Sequence, residues 1–135
     1  MMTIPLWTLL VAVMLPYFWL GPSFSARKEQ FGAADNAHPR LQVAKLEGKG
    51  ARAYAAHQNA FEALAVYAPA VLVAHVTHAN LMHSTILSCV WVVCRILHGV
   101  LYLNNVDKAR SAMFAFGMLS AIGQFVISAM GPATP

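Results

Sequence analysis

The sequence predicts an all-α fold: an integral membrane bundle of four helices running up, down, up and down. Three observations carry that expectation. The chain is 59% hydrophobic and only 10% charged, whereas a soluble domain is about 45–50% apolar and about 25% charged. Its apolar residues gather into four stretches, each near the roughly 20 residues a helix needs to cross a bilayer core. Four spans use about 80 residues, which leaves one long connection and short turns. Residues 1–135 therefore read as a single four-span membrane domain.

The first span covers about residues 5–20, and Gly21-Pro22 is expected to end it. Pro16 falls inside it and predicts a kink. Trp7, Tyr17 and Trp19 lie near its ends, where an aromatic belt would place them. Ser23-Phe24-Ser25 resembles a cleavage site, but no Lys or Arg precedes the apolar run, so a signal peptide is the weaker reading. Residues 23–53 form the long connection, without a sustained helical period, and Gly48 and Gly50 are expected to break the chain before the next helix.

The second span covers about residues 54–76, with Pro69 inside. His78-Ala79-Asn80 turns the chain into the third, about residues 81–103. Asn104-Asn105-Val106-Asp107 makes a tight polar turn into the fourth, about residues 108–130, which Gly131-Pro132 closes. Cys89 and Cys94 sit five apart within the third span and point in different directions, so free thiols are expected. Gly117 and Ala121 form a small-xxx-small pair suited to helix packing, and Gln124 is expected to bond between helices.

The formal charge is +4 and the pI about 9.4. In a membrane chain that excess reads as topology and contact with anionic lipid. The basic residues are scattered and build no helix face that could track a duplex, so nucleic acid is not an expected partner. Eight of the nine Lys and Arg belong to the first and third connections and their flanks. The positive-inside rule then places loops 23–53 and 104–107 in the cytoplasm and both termini outside. Compact size and short tails suit a bacterial inner membrane.

Ionisable residues inside the spans are costly and point to function or to a structural ion pair. Counted from Tyr54 and Leu103 as the cytoplasmic ends, Glu62 and Arg95 are each eight residues deep, roughly 12 Å. Asn59 and His98 are each five deep. The arithmetic predicts a Glu62–Arg95 salt bridge and an Asn59–His98 layer beside it. Arg95, His98 and Tyr102 share one helical face at i, i+3, i+7, and Arg110 and Ser111 open the fourth span near the same surface. Together they predict a polar pocket open to the cytoplasm between apolar walls, fit for an anionic water-soluble ligand meeting an apolar one. His75, His78 and His83 cluster at the opposite face and read as interfacial.

Arg52-Ala-Tyr-Ala-Ala-His57-Gln-Asn59-Ala-Phe-Glu62 resembles the R-x-x-x-A-H-x-N-x-x-E signature of the membrane-associated proteins in eicosanoid and glutathione metabolism, MAPEG. Arg95-Ile-Leu-His98-Gly-Val-Leu-Tyr102 resembles the same family's R-x-x-H-x-x-x-Y, and Arg110-Ser111 its arginine–serine pair. The resemblance covers nearly the whole chain. It implies a homotrimer that binds glutathione between subunits on the cytoplasmic side and, like microsomal glutathione transferases, turns its thiolate on a lipophilic electrophile or peroxide. It further implies Arg110 and Ser111 as catalytic residues, with Arg52, His57, Asn59, Glu62, Arg95, His98 and Tyr102 binding glutathione; no metal is implied. A cation beside a thiol lowers its pKa, which is the role implied for Arg110. The chain departs from the family's pattern at Ala55 and Gln58, where relatives carry arginines, and at Phe114, where a tyrosine often follows the arginine–serine pair. Two alternatives remain: a non-catalytic MAPEG-fold scaffold or lipid-binding modulator, and a small four-span transporter. The transporter would want a carboxylate in the first span, which has none.

Overall fold

The computed structural model describes residues 1–131. Among them the chain forms helices α1 (Ile4–Phe31), α2 (Pro39–Val43), α3 (Gly48–Val76), α4 (Leu81–Leu103) and α5 (Asp107–Ala129). All but α2 are long and apolar enough to cross a membrane. The described residues contain no strand. α1 packs along α3, α4 along α5, and α3 also touches both α4 and α5. The third span has the expected limits, and the fourth is displaced by a single residue. α5 ends at Ala129, and Gly131 takes φ +88°; Pro132, the other half of the expected stop, lies outside the described residues.

The first half of the chain differs from expectation. Gly21-Pro22 does not end α1, which continues to Phe31 as a helix of 28 residues, about 42 Å long. A proline in a helix removes one hydrogen bond, and a membrane helix tolerates that loss where packing holds the flanks. Here Ser23 and Arg27, just beyond Pro22, are buried. Gly48 and Gly50 do not break the chain either. Gly48, at φ +55°, begins α3, ahead of the expected Tyr54. Gly50 is the point where α3 crosses α1: a Cβ there would stand 2.5 Å from the Ala26 Cβ. Both long helices therefore extend beyond a hydrocarbon core about 30 Å thick.

Trp19 is not a belt residue. It is 3% exposed and packs with Leu15, Ala56 and Ala60. Gly99 makes the room, since a Cβ on Gly99 would overlap the Trp19 indole. Trp7 and Tyr17 are exposed. A second apolar cluster centres on Tyr67, which stacks on Trp91 with ring centroids 3.8 Å apart.

Buried polar groups in a bilayer have no water to fall back on, so each requires a partner within the protein. Thr8 donates to the Pro5 carbonyl at 2.6 Å and is 2.7 Å from the Tyr67 hydroxyl, which ties α1 to α3. Gln124, fully buried, donates to the Ser84 carbonyl at 3.0 Å and to Ser88 Oγ at 2.9 Å, and accepts from Ser84 Oγ at 2.9 Å. It joins α5 to α4 as expected. Gly117 and Ala121 are buried too, and Gly117 lies against Arg95 and Cys94. Both cysteines are free.

Candidate functional site

The predicted Glu62–Arg95 salt bridge does not form. Arg95 is 3% exposed, and its Nη2 donates to Asn59 Oδ1 at 2.6 Å and to the Asn59 carbonyl at 3.2 Å. Asn59 Nδ2 in turn donates to Glu62 Oε2 at 3.2 Å. The carboxamide thus stands between the two ions and bonds to both. Glu62 itself is exposed on the outside of the protomer. Hairpin arithmetic puts the Cα atoms of residues 62 and 95 at one level, but an arginine side chain is long enough to carry its head a full turn along the neighbouring helix. That reach decided the partner. The predicted Asn59–His98 layer is replaced for the same reason, because Asn59 is already engaged.

His98 is buried, and its ring meets Tyr102 at 5.6 Å and Phe114 at 6.3 Å between centroids. Tyr102 carries the Arg110 guanidinium over its face, 4.2 Å from the centroid. Phe114, His98, Tyr102 and Arg110 therefore form one continuous pile at the junction of α4 and α5. Arg110 is half-buried and makes no side-chain hydrogen bond or ion pair among the described residues; Ser111 next to it is exposed. This leaves a cation and a hydroxyl at successive positions of α5.

Two residues expected in the pocket are engaged elsewhere. His57 Nδ1 pairs with the Pro16 carbonyl at 2.8 Å, and its ring packs on Tyr54 and Phe61. As a carbonyl only accepts, Nδ1 carries the proton. His57 thereby holds α3 to α1 at Pro16. Arg52 Nε donates to the Leu103 carbonyl at 3.2 Å. That is the last turn of α4, whose carbonyls lack helical partners and attract a cation. Arg52 closes a helix end.

Arg95 also borders a cavity of about 10 Å³ lined by Ala63, Trp91, Phe114 and Gly117, roughly the room of one water. Its Nε is buried without a hydrogen-bond partner among the described residues. Sequence reasoning missed this part of the site, in particular Trp91 and Gly117 around the guanidinium. The signal was the helical spacing of Trp91 and Arg95, one turn apart on the face that also carries His98.

The fold and the polar constellation define an integral, multi-pass membrane protein with an ionisable site among its helices. A family model described as MAPEG family matches residues 4–130. The chain belongs to the MAPEG family, a membrane-protein family of glutathione and eicosanoid metabolism. Searches among curated proteins and among solved structures returned no match.

Proposed function

We propose that the protein is a homotrimer whose protomers together bind glutathione and use its thiolate against lipophilic electrophiles or peroxides, at the cytoplasmic side of the membrane. The observation that carries this reading is the exposed face of α3. Gln58, Glu62, Ala65, Pro69, Leu72 and Val76 are all exposed, at alternating spacings of four and three. Those positions make one continuous outward stripe along α3. A lone carboxylate turned to hydrocarbon costs about 2.5–3.5 kcal/mol or more, so lipid is an unfavourable cover for this stripe. A second protomer seated there would enclose Glu62 and Asn59 in a polar cleft and offer its own side chains to it.

The residues fit a thiol tripeptide in part. Arg110 and Ser111 supply a cation and a hydrogen-bond donor, neither of them committed within the protomer. Glutathione, when bound, contributes the thiol that becomes the nucleophile. Arg110 would hold the sulfur in its anionic form, Ser111 would donate to it, and Glu62, which Asn59 Nδ2 holds, would receive the ammonium end. Arg95 is better suited to setting the Asn59 carboxamide than to touching a ligand. Arg52 and His57, each bonded to backbone, would shape the site rather than bind.

A second reading rests on a specific observation. With Ala55 and Gln58 in place of arginines and Arg95 buried, few cations remain for the carboxylates of glutathione. A non-catalytic member of the fold, a scaffold or lipid-binding modulator, would need none.

Titration calorimetry of the detergent-purified protein with glutathione separates the two. The catalytic reading expects saturable binding, with thiolate absorbance that Arg110→Ala removes while the oligomer persists. Absence of saturable binding overturns it and leaves the scaffold.

A further inference from the structure

The connection between α1 and α3 is fastened more firmly than a linker requires. Arg27 Nε donates to Gln42 Oε1 at 2.7 Å, and Nη2 donates to the Asp35 carbonyl at 2.5 Å. Gln42 also accepts from the Asp35 N–H at 2.9 Å and donates to the Ala33 carbonyl at 2.8 Å. The Asp35 carboxylate accepts the Ala37 and His38 N–H groups at 2.8 and 2.9 Å. What these bonds hold in place is an open groove of about 380 Å³, lined by Phe31, Asp35, His38, Leu41, Gln42 and Lys45. Phe31 is 40% exposed and Leu41 65%.

Depth decides what such a groove meets. Arg27 is the first charged residue of α1, and we place the end of the hydrocarbon at its level. Phe31 lies one turn further on, roughly 6 Å. The headgroup layer of one leaflet is about 5–7 Å thick. The groove therefore opens at the level of phosphates and glycerol, where exposed apolar side chains and cations both find partners. Charge agrees with depth. Residues 23–53 hold six basic and three acidic side chains. Arg27 and Arg52 are engaged internally, while Lys28, Arg40, Lys45 and Lys49 are exposed. The carboxylate within the groove already accepts two backbone N–H groups on one of its oxygens.

We propose that this groove holds the headgroup of an anionic phospholipid from the surrounding leaflet, with Lys45 at its phosphate and Phe31 and Leu41 against the glycerol. The inference is independent of glutathione. It differs from a general attraction of basic loops to anionic membranes because it assigns the contact to one lysine and one groove. Lys49 is the internal control: it is equally exposed, but lines a different cavity with Glu29 and Glu47.

Native mass spectrometry of the full chain tests it, with phosphatidylglycerol and phosphatidylcholine of matched acyl chains added at equal concentration. The wild type should retain phosphatidylglycerol preferentially. Lys45→Gln should weaken that retention about fivefold, the worth of one basic residue near an anionic surface, and Lys49→Gln should leave it unchanged. Equal loss in both variants would reduce the effect to diffuse charge. Equal retention of the two lipids by the wild type would remove the site altogether.

Discussion

Arg110 is held by a ring, and replacing that ring should release it. Among the described residues the guanidinium has no carboxylate or carbonyl partner for its side chain; its fixed contact is the face of Tyr102 at 4.2 Å. Such a contact is worth about 0.5–1 kcal/mol when exposed and about 2 kcal/mol when desolvated. Arg110 is half-buried, so about 1 kcal/mol is the appropriate figure, roughly a fivefold change in the stacked population. Tyr102→Leu should raise the phenylglyoxal modification rate of Arg110 by about that factor, read by mass spectrometry on the peptide that contains it. Tyr102→Phe keeps the ring and should leave the rate unchanged. In the proposed glutathione site the same pair separates two roles. If the ring acts through Arg110, Tyr102→Phe preserves the thiolate signal. If the hydroxyl instead binds the tripeptide, Tyr102→Phe weakens affinity without touching Arg110 reactivity. Identical modification rates in the wild type and the leucine variant would refute the stacking argument.

Three further perturbations follow from the packing. Gly99→Ala drives a methyl into the Trp19 indole and should destabilise the protein by about 1–3 kcal/mol, seen as a lower melting temperature in detergent; the double variant with Trp19→Leu should recover most of it. Gln124→Leu removes three bonds between α4 and α5 at about 0.6 kcal/mol each by membrane double-mutant cycles, so roughly 1–2 kcal/mol should be lost in a denaturant or detergent titration. The Asp35 carboxyl is held below the usual carboxylate range, first of all by the His38 N–H. A depressed carboxyl stabilises the loop above its unfolded value and loses that contribution as pH falls through the depressed one. Amide exchange at Ala37 and His38 should therefore accelerate only under distinctly acidic conditions, and no change there would contradict the cap.

The spans were legible because hydropathy reports directly on the one requirement that lipid imposes, an unbroken apolar helix of sufficient length. The limits of α4 came straight from it. What hydropathy could not report was packing between helices. Gly21-Pro22 and Gly48 look like breaks locally, yet α1 runs through the first, with Ser23 and Arg27 beyond it buried, and α3 starts at the second. Trp19 looks like a belt residue until Gly99, eighty positions away, is seen to receive it. His57 looks like a ligand because of its place in the family motif; its partner is a backbone carbonyl on another helix, which no side-chain pattern encodes.

The pairing of the polar residues was not legible in the sequence, and the reason bears on function. Placing Arg95 and Glu62 in direct contact would have neutralised both within one protomer and left a structural ion pair. The chain instead interposes Asn59, whose carbonyl oxygen takes the guanidinium and whose amide takes the carboxylate. A buried cation with only neutral acceptors is costly, and so is a carboxylate facing lipid. A protomer that holds both in the same layer is energetically incomplete by itself. In the proposed site a charged or zwitterionic partner at the α3 face would complete it, meeting Glu62 directly and sensing Arg95 only through the amide between them.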